Sequence, residues 1–248
     1  MSVTITCSCD EVVAAAAERD VPSAYLAHVR ATHPDWPFPD VAVEVVGEAL
    51  LRLSGPRERL DEVGRVTVEP VMPDHLEDWL AFFDHHAFVD RPWLAGCYCF
   101  EQHAEPSPPA VGWWRSTRQA MTDLFVTGDA YGYLALVDGG PAGWANAAMR
   151  AGQRYARGDE TDATTITLSC FNIGPGYRGH GLAAVLLDRV IADAPGRGAL
   201  RVEAYPTADA RPFRGSLELY RSRGFHEVRD LGFGILVRLE VVPTRAPT

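Results

Sequence analysis

The sequence predicts an α/β chain of the α+β kind, and three observations predict it. Short β-branched runs alternate with amphipathic stretches along most of the length. Two alternating segments meet at Asp138-Gly139-Gly140-Pro141, a hairpin signal. A hydrophobic run at 164–173 ends in a Gly/Pro turn that opens into an amphipathic stretch at 182–194. The pattern changes near Gly64. Residues 1–64 carry 11 acidic and 5 basic residues, a net −6 of the chain's −10. The expected organisation is a small accessory α/β module over 1–64 and a larger domain over 65–248.

In the first segment, residues 2–8 read as a strand. Asp10 is placed to cap a helix through Arg19, and Pro22 to open a second helix through His33. HPDWPFPD (33–40) is a loop. Residues 41–53 alternate as a strand with Gly47 at a bulge, and 54–64 form a short helix ended by Gly64. The module therefore reads as βααβα. In the second segment, 65–71 is a strand and 73–86 an amphipathic helix. Residues 87–112 are irregular, with a short strand at 97–101. Residues 113–128 are a helix and 131–149 a hairpin. After a polar loop come the buried strand 164–173, the helix 182–194, a strand at 199–206, a helix at 215–225 and a last strand or hairpin at 226–242.

All 23 basic residues are Arg, which removes lysine Schiff-base chemistry. An acidic chain argues against nonspecific nucleic-acid binding and favours a cationic partner such as an amine. No apolar run approaches a membrane span, and the N-terminus lacks the basic flank and apolar core of a secretion signal, so a cytoplasmic location is expected. Five cysteines in such a chain read as thiols. The pairs Cys7/Cys9 and Cys97/Cys99, with His103 nearby, lack the usual zinc spacing, and alternate strand residues face opposite ways. No metal site is expected.

The chemistry concentrates in Phe171-Asn172-Ile173-Gly174-Pro175-Gly176-Tyr177-Arg178-Gly179-His180-Gly181-Leu182-Ala183. A helix start presents unpaired amides and a positive dipole end. Small residues at 179, 181 and 183 let a pyrophosphate approach the backbone. Arg178 either adds a charged contact or fixes the loop. No Gly-Lys-Ser/Thr follows, so this is not a Walker loop. Its late position is unlike a Rossmann fingerprint.

Arg178-Gly179-His180-Gly181-Leu182-Ala183 resembles the phosphate motif of the GNAT N-acyltransferases at every constrained position. Leu219-Tyr220-Arg221-Ser222-Arg223-Gly224-Phe225 resembles the family's Leu-Tyr-x-x-x-Gly-Phe element, about forty residues downstream as in the family. The element order over 65–242, about three quarters of the chain, is similar too. Trp93…Cys97-Tyr98-Cys99, Gly143-Trp144 followed by Arg150, Ser169-Cys170-Phe171 and Glu203-Ala204-Tyr205-Pro206 look like one bacterial branch of that family. The resemblance implies a mixed, mostly antiparallel central sheet flanked by helices, and acetyl-CoA as the cofactor. It implies that the amides of Gly179, His180, Gly181, Leu182 and Ala183 hold the pyrophosphate, with Arg178 in the same loop. The strand through Phe171 and Ile173 would pair with the pantetheine arm where the next strand splays away. Tyr220 would protonate the leaving thiolate. Phe213 stands where the family often has a cofactor-contacting Asn.

The resemblance implies an acetyl transfer to a small-molecule or peptide amine, by direct attack in a ternary complex. The alternative is an acyl-CoA-binding regulatory protein without turnover. A third reading is a metal or redox module built on the Cys pairs. Glu203 is the first candidate for the base that deprotonates the ammonium, with Tyr205 on its face. Glu101, His103, Asp159 and Glu160 follow. His180 reads as a loop position and Cys170 as core packing. Trp93, Trp113, Trp114 and Trp144 are candidates to wall an acceptor pocket, with the irregular 93–114 region as a lid. The N-terminal module resembles short bacterial proteins with a Cys-x-Cys start and a His-bearing helix (Cys7, Cys9, His28, His33). Dimerisation, acceptor-site closure and regulation are all open roles for it.

Overall fold

The computed structural model describes residues 2–7, 9–103, 113–153, 162–207 and 213–241. A seven-stranded sheet organises them, built from β3 (Val66–Pro70), β4 (Gly132–Val137), β5 (Gly140–Met149), β6 (Thr165–Ile173), β7 (Arg201–Ala204), β8 (His226–Asp230) and β9 (Ile235–Glu240). Its spatial order is β3-β4-β5-β6-β7-β9-β8. Every neighbouring pair is antiparallel except β6 and β7, which run parallel. The expected hairpin forms between β4 and β5. Asp138 (φ 49°) and Gly139 (φ 84°) both turn left-handed, as a two-residue hairpin requires.

The period-two alternation decides what covers each face. Tyr133, Ala135, Ala145, Ala147, Ile166 and Leu168 face α5 (Leu182–Asp193), which supplies Leu182, Leu186, Leu187 and Val190. Leu134 and Trp144 face the other way, onto Trp79 of α3 (Leu76–Ala81), Phe82 and Phe83 of the helical turn after it, and Met121 and Phe125 of α4 (Trp113–Thr127). One irregularity matters for function. Between β5 and β6 the register passes from Asn146↔Cys170 to Ala147↔Leu168, so Ser169 is an extra residue on β6. The bulge reverses the alternation: Leu168 and Phe171 face α5, while Cys170 faces the α3/α4 layer.

The N-terminal segment departs from expectation. It is ββαα, with β1 (Val3–Thr6), β2 (Val12–Ala15), α1 (Val21–Thr32) and α2 (Asp40–Leu50). The helix expected from Asp10 is instead β2, paired antiparallel with β1 and burying Val13 and Ala15 beside Ile5. Tertiary pairing overrides the helix propensity of the alanines. The strand expected at 41–53 is α2, despite its valines. Gly47 is not a bulge but a close helix crossing: a Cβ there would stand 3.0 Å from Pro22 Cα and 3.1 Å from Tyr25 Cβ. The helix expected at 54–64 is an irregular strap. Its Ser54 and Gly55 amides bond to His85 O (3.0 and 2.9 Å). The short strand expected at 97–101 is a run of tight turns, with Tyr98 (φ 44°) and Cys99 (φ 56°) left-handed. Among the described residues no helix is long and apolar enough to cross a membrane.

Candidate active site

The loop between β6 and α5 has the conformation its glycines allow. Gly179 (φ 80°) and Gly181 (φ 81°) both lie in the left-handed region, and Gly181 is the residue from which α5 starts. Ala184 and Val185 make the first bonds back to Gly181 O, at 2.9 and 3.1 Å. The amides of Leu182 and Ala183 therefore precede the helical ladder, at the positive end of a 12-residue helix. Arg178 fixes this loop: its Nε donates to Ile173 O (3.0 Å), and its NH1 and NH2 meet the two oxygens of Asp90 at 2.5 and 3.3 Å. His180 contacts Leu60 O through Nε2 (2.8 Å). The strap at 54–60 runs along the same loop. Gly176 N donates to Pro56 O (3.1 Å) and Leu60 N to Gly176 O (2.9 Å). A Cβ on Gly179 would stand 3.1 Å from Arg59 Nε, so this guanidinium sits at the loop.

A cleft opens where β7 leaves β6. Their parallel pairing runs from Thr165↔Arg201 to Leu168↔Ala204 and stops at the Ser169 bulge. Beyond it, the edge of β6 facing away from β5 is taken up by the segment that follows residue 212. Phe171 N donates to Phe213 O (2.9 Å), and Arg214 NH1 donates to Ser169 O (2.9 Å). Phe213 and Arg214 thus stand as a surrogate strand against Phe171. Phe213 pays a conformational cost to do so, at φ 71°.

A pocket of about 220 Å³ adjoins this cleft, lined among others by Cys97, Glu101, Cys170, Asn172 and Arg214. Its walls hold polar atoms with no hydrogen-bond partner among the described residues: Ser169 Oγ, Gln102 Oε1, and both amide atoms of Asn172. Asn172 is only 1% exposed. Buried polar groups are rarely left unmatched, so the pocket has the chemistry of a site for a polar ligand. Two of its thiols are hard to ionise. Burial pushes Cys97 up to about 12, with the charge of Glu101 adding to the effect. Cys99 is raised well above the usual thiol by its contact with Cys170 (Sγ–Sγ 3.4 Å) and by burial.

Tyr220, on α6 (Leu217–Arg221), packs beside Phe171 with ring centroids 6.4 Å apart. Its hydroxyl donates to Arg214 O (2.9 Å). Burial pushes that hydroxyl far above the ordinary phenol range. Glu203 is fully buried, and both its oxygens face guanidinium groups. Arg238, its cross-strand partner on β9, donates through Nε at 2.7 Å, and Arg150 holds the other oxygen. Glu203, the first candidate base in the sequence, is thus enclosed by two guanidinium groups. His103 Nε2 lies 3.2 Å from Asn146 Nδ2. Asp159 and Glu160 lie outside the described residues. Glu101 is the one carboxylate among the pocket's lining residues.

The four tryptophans do not line this pocket. Trp93 and Trp113 face an apolar hollow with Trp36 and Phe38. Trp114 donates to Glu48 Oε2 (2.7 Å), and Trp144 is in the core. Sequence reasoning also passed over Arg59, Asp90 and Asn172. Asn172 had a signal, as a polar residue inside an otherwise buried strand next to the glycine turn. Arg59 and Asp90 had none, because tertiary contacts alone bring them to the loop.

No curated protein matches the sequence. Among solved structures, the chain is similar to the PaiA N-acetyltransferase of Thermoplasma acidophilum in complex with coenzyme A (15% identity, 71% of this chain and 99% of that one, TM-score 0.47). It is similar also to an N-acetyltransferase of Staphylococcus aureus Mu50 (16%, 71% and 99%, TM-score 0.47) and a GNAT-family acetyltransferase of Streptococcus pneumoniae (15%, 72% and 100%, TM-score 0.44). The sequence model described as the acetyltransferase (GNAT) family matches residues 91–225, a span that holds the glycine loop, the parting of β6 from β7 and Tyr220 together. The chain belongs to the acetyltransferase (GNAT) family.

Proposed function

We propose that this protein transfers an acetyl group from acetyl-CoA to an amine that carries a further hydrogen-bonding group, by direct attack in a ternary complex. The observation that carries the reading is the continuity of three features. The amide-lined start of α5, the β6 edge at Phe171 and the pocket at Asn172 follow one another along a single strand and its loop.

Acetyl-CoA supplies the activated acyl group: the amine nitrogen bonds to the thioester carbonyl carbon as the carbon–sulfur bond breaks. The protein's residues do the rest. The amides of 179–183 hold the pyrophosphate, with the Arg59 guanidinium beside them. Arg178, clamped by Asp90, keeps the loop in shape. The Phe171 amide and the backbone at Ile173 pair with the amides of the pantetheine arm once Phe213 withdraws. That withdrawal also frees Tyr220 from the Arg214 carbonyl, and its hydroxyl then gives its proton to the departing sulfur. Glu101 takes the proton from the ammonium, leaving the nitrogen lone pair free to attack, and the second proton the nitrogen sheds as the amide forms restores the Tyr220 hydroxyl. Asn172 and Ser169 orient the acceptor through its second polar group. Glu203 serves as a positioning residue that ties β7 to β9 and to Arg150. Burial disfavours the thiolate at Cys97 and Cys99, which fits direct attack better than an acetyl group carried on either.

The test is release of free thiol from acetyl-CoA against a panel of amines. Turnover with amines bearing a hydroxyl, amide or carboxyl group is the expected result. Tight CoA binding with no thiol release across the panel would favour a silent acyl-CoA-binding protein.

A further inference from the structure

Outside the acetyltransfer cleft, four side chains with metal-ligating atoms converge in the N-terminal module. Cys7 follows β1 and Cys9 lies in the turn before β2. His28 is on α1, and His33 is the residue after its last turn. Their ligating atoms all lie within 4.8 Å of one another. Cys7 Sγ is 3.6 Å from His33 Nε2, and Cys9 Sγ is 3.6 Å from His28 Nε2. A tetrahedral zinc, with Zn–S of about 2.3 Å and Zn–N of about 2.0–2.1 Å, sets a sulfur–nitrogen edge at roughly 3.6 Å. Both contacts thus have the length of an edge of that tetrahedron.

The surroundings agree with this reading. His28 presents Nε2 to the cluster while its Nδ1 faces Glu11 Oε2 (3.4 Å) and Thr32 Oγ1 (3.5 Å). A carboxylate behind a histidine is the arrangement that fixes the tautomer of a metal ligand. The Tyr25 hydroxyl stands 3.7 Å from Cys7 Sγ, placed to donate to a thiolate. His33 is held by stacking on Trp36, with centroids 5.4 Å apart and planes at 28°. Asp10 N donates to Cys7 O (3.0 Å), with Asp10 left-handed at φ 67°. The module's sheet is two strands of four residues each on a small core shared with α1 and α2, to which a metal would add a cross-link.

The geometry points to a structural zinc site formed by Cys7, Cys9, His28 and His33, which fastens the β1–β2 hairpin to α1. Two thiolates and two imidazoles in tetrahedral array suit zinc above harder cations. With four protein ligands the site is closed, so the metal holds structure and has no open position for substrate. Both cysteines would bind as thiolates, so affinity is expected to fall as pH drops. This departs from the sequence expectation of no metal, which weighed Cys7 and Cys9 against Cys97 and Cys99 and not against the helix histidines.

The test uses the full chain, produced in zinc-supplemented medium and freed of any histidine tag. Elemental analysis is expected to find about one zinc per chain. After chelation, Co(II) is expected to restore a tetrahedral visible spectrum with thiolate-to-cobalt charge transfer. Cys7→Ser/Cys9→Ser is expected to lose the metal and His28→Gln to weaken it at least tenfold, whereas Cys97→Ser/Cys99→Ser keeps it. Should the ligand variants fail to fold, the cobalt spectrum of the unaltered chain decides. An octahedral spectrum without thiolate charge transfer, a Cys7–Cys9 disulfide in metal-free protein, or metal lost only with Cys97 and Cys99 would each overturn the proposal.

Discussion

At the scale of single residues, two glutamates are expected to respond differently to the loss of charge. Glu203 is enclosed by Arg150 and Arg238, so Glu203→Gln leaves buried guanidinium charge uncompensated. The expected cost is about 3–5 kcal/mol of stability, read by denaturant melts, with the pH profile of kcat unchanged. Glu101→Gln is expected to leave stability within about 0.5 kcal/mol and to lower kcat on the order of 10²-fold at neutral pH, with partial recovery at high pH where the amine is already deprotonated. Tyr220→Phe is expected to reduce kcat on the order of 10²-fold with little change in CoA affinity. Loss of affinity instead would mark Tyr220 as packing. The glycine turn before α5 was legible in the sequence because it depends on local spacing. The enclosure of Glu203 was not, since Arg150 and Arg238 lie 53 residues before it and 35 after it.

At the scale of elements, the one-residue bulge at Ser169 ends the β6–β7 pairing and turns Cys170 and Asn172 toward the pocket. Simple alternation from Leu168 would have placed Cys170 on the α5 face, so the sequence located this strand without its change of phase. The segment after residue 212 is the second device. It occupies the β6 edge through Phe213 O and Arg214 NH1. Arg214→Ala removes one of these bonds, worth about 0.5–1.5 kcal/mol. Calorimetry is accordingly expected to show CoA binding tightened by about twofold to tenfold. Unchanged or weaker binding would mean that the segment does not compete. The helix α2 was misread as a strand because β-branched valines dominate its local preference. Its helical character rests on packing of Gly47 against α1, which no local rule reports.

At the scale of the molecule, the accessory module and the glycine loop are linked by one strap. The chain leaves α2, bonds at Ser54 and Gly55 to His85 O, and passes Pro56 and Leu60 along the loop at Gly176. We propose that the boundary between module and transferase domain lies near Leu51, so that the strap belongs to the cofactor site and not to the module as the composition change near Gly64 suggested. Arg59→Ala is then expected to raise the KM for acetyl-CoA severalfold with kcat preserved, because it removes a charge beside the pyrophosphate without touching the pocket. Steady-state kinetics reads this directly. The proposed cofactor site depends on the left-handed start of α5 presenting its amides to an anion, and Gly181 isolates that dependence. A Cβ there meets nothing within 4 Å, so a substitution acts only through its φ of 81°. The decisive measurement is calorimetric titration of CoA into the unaltered protein and into Gly181→Val. Affinity on the order of 1–100 µM for the first and at least tenfold weaker for the second is the expected result. No heat with the unaltered protein, or equal affinity in both, would rule out the α5 start as the cofactor's anchor.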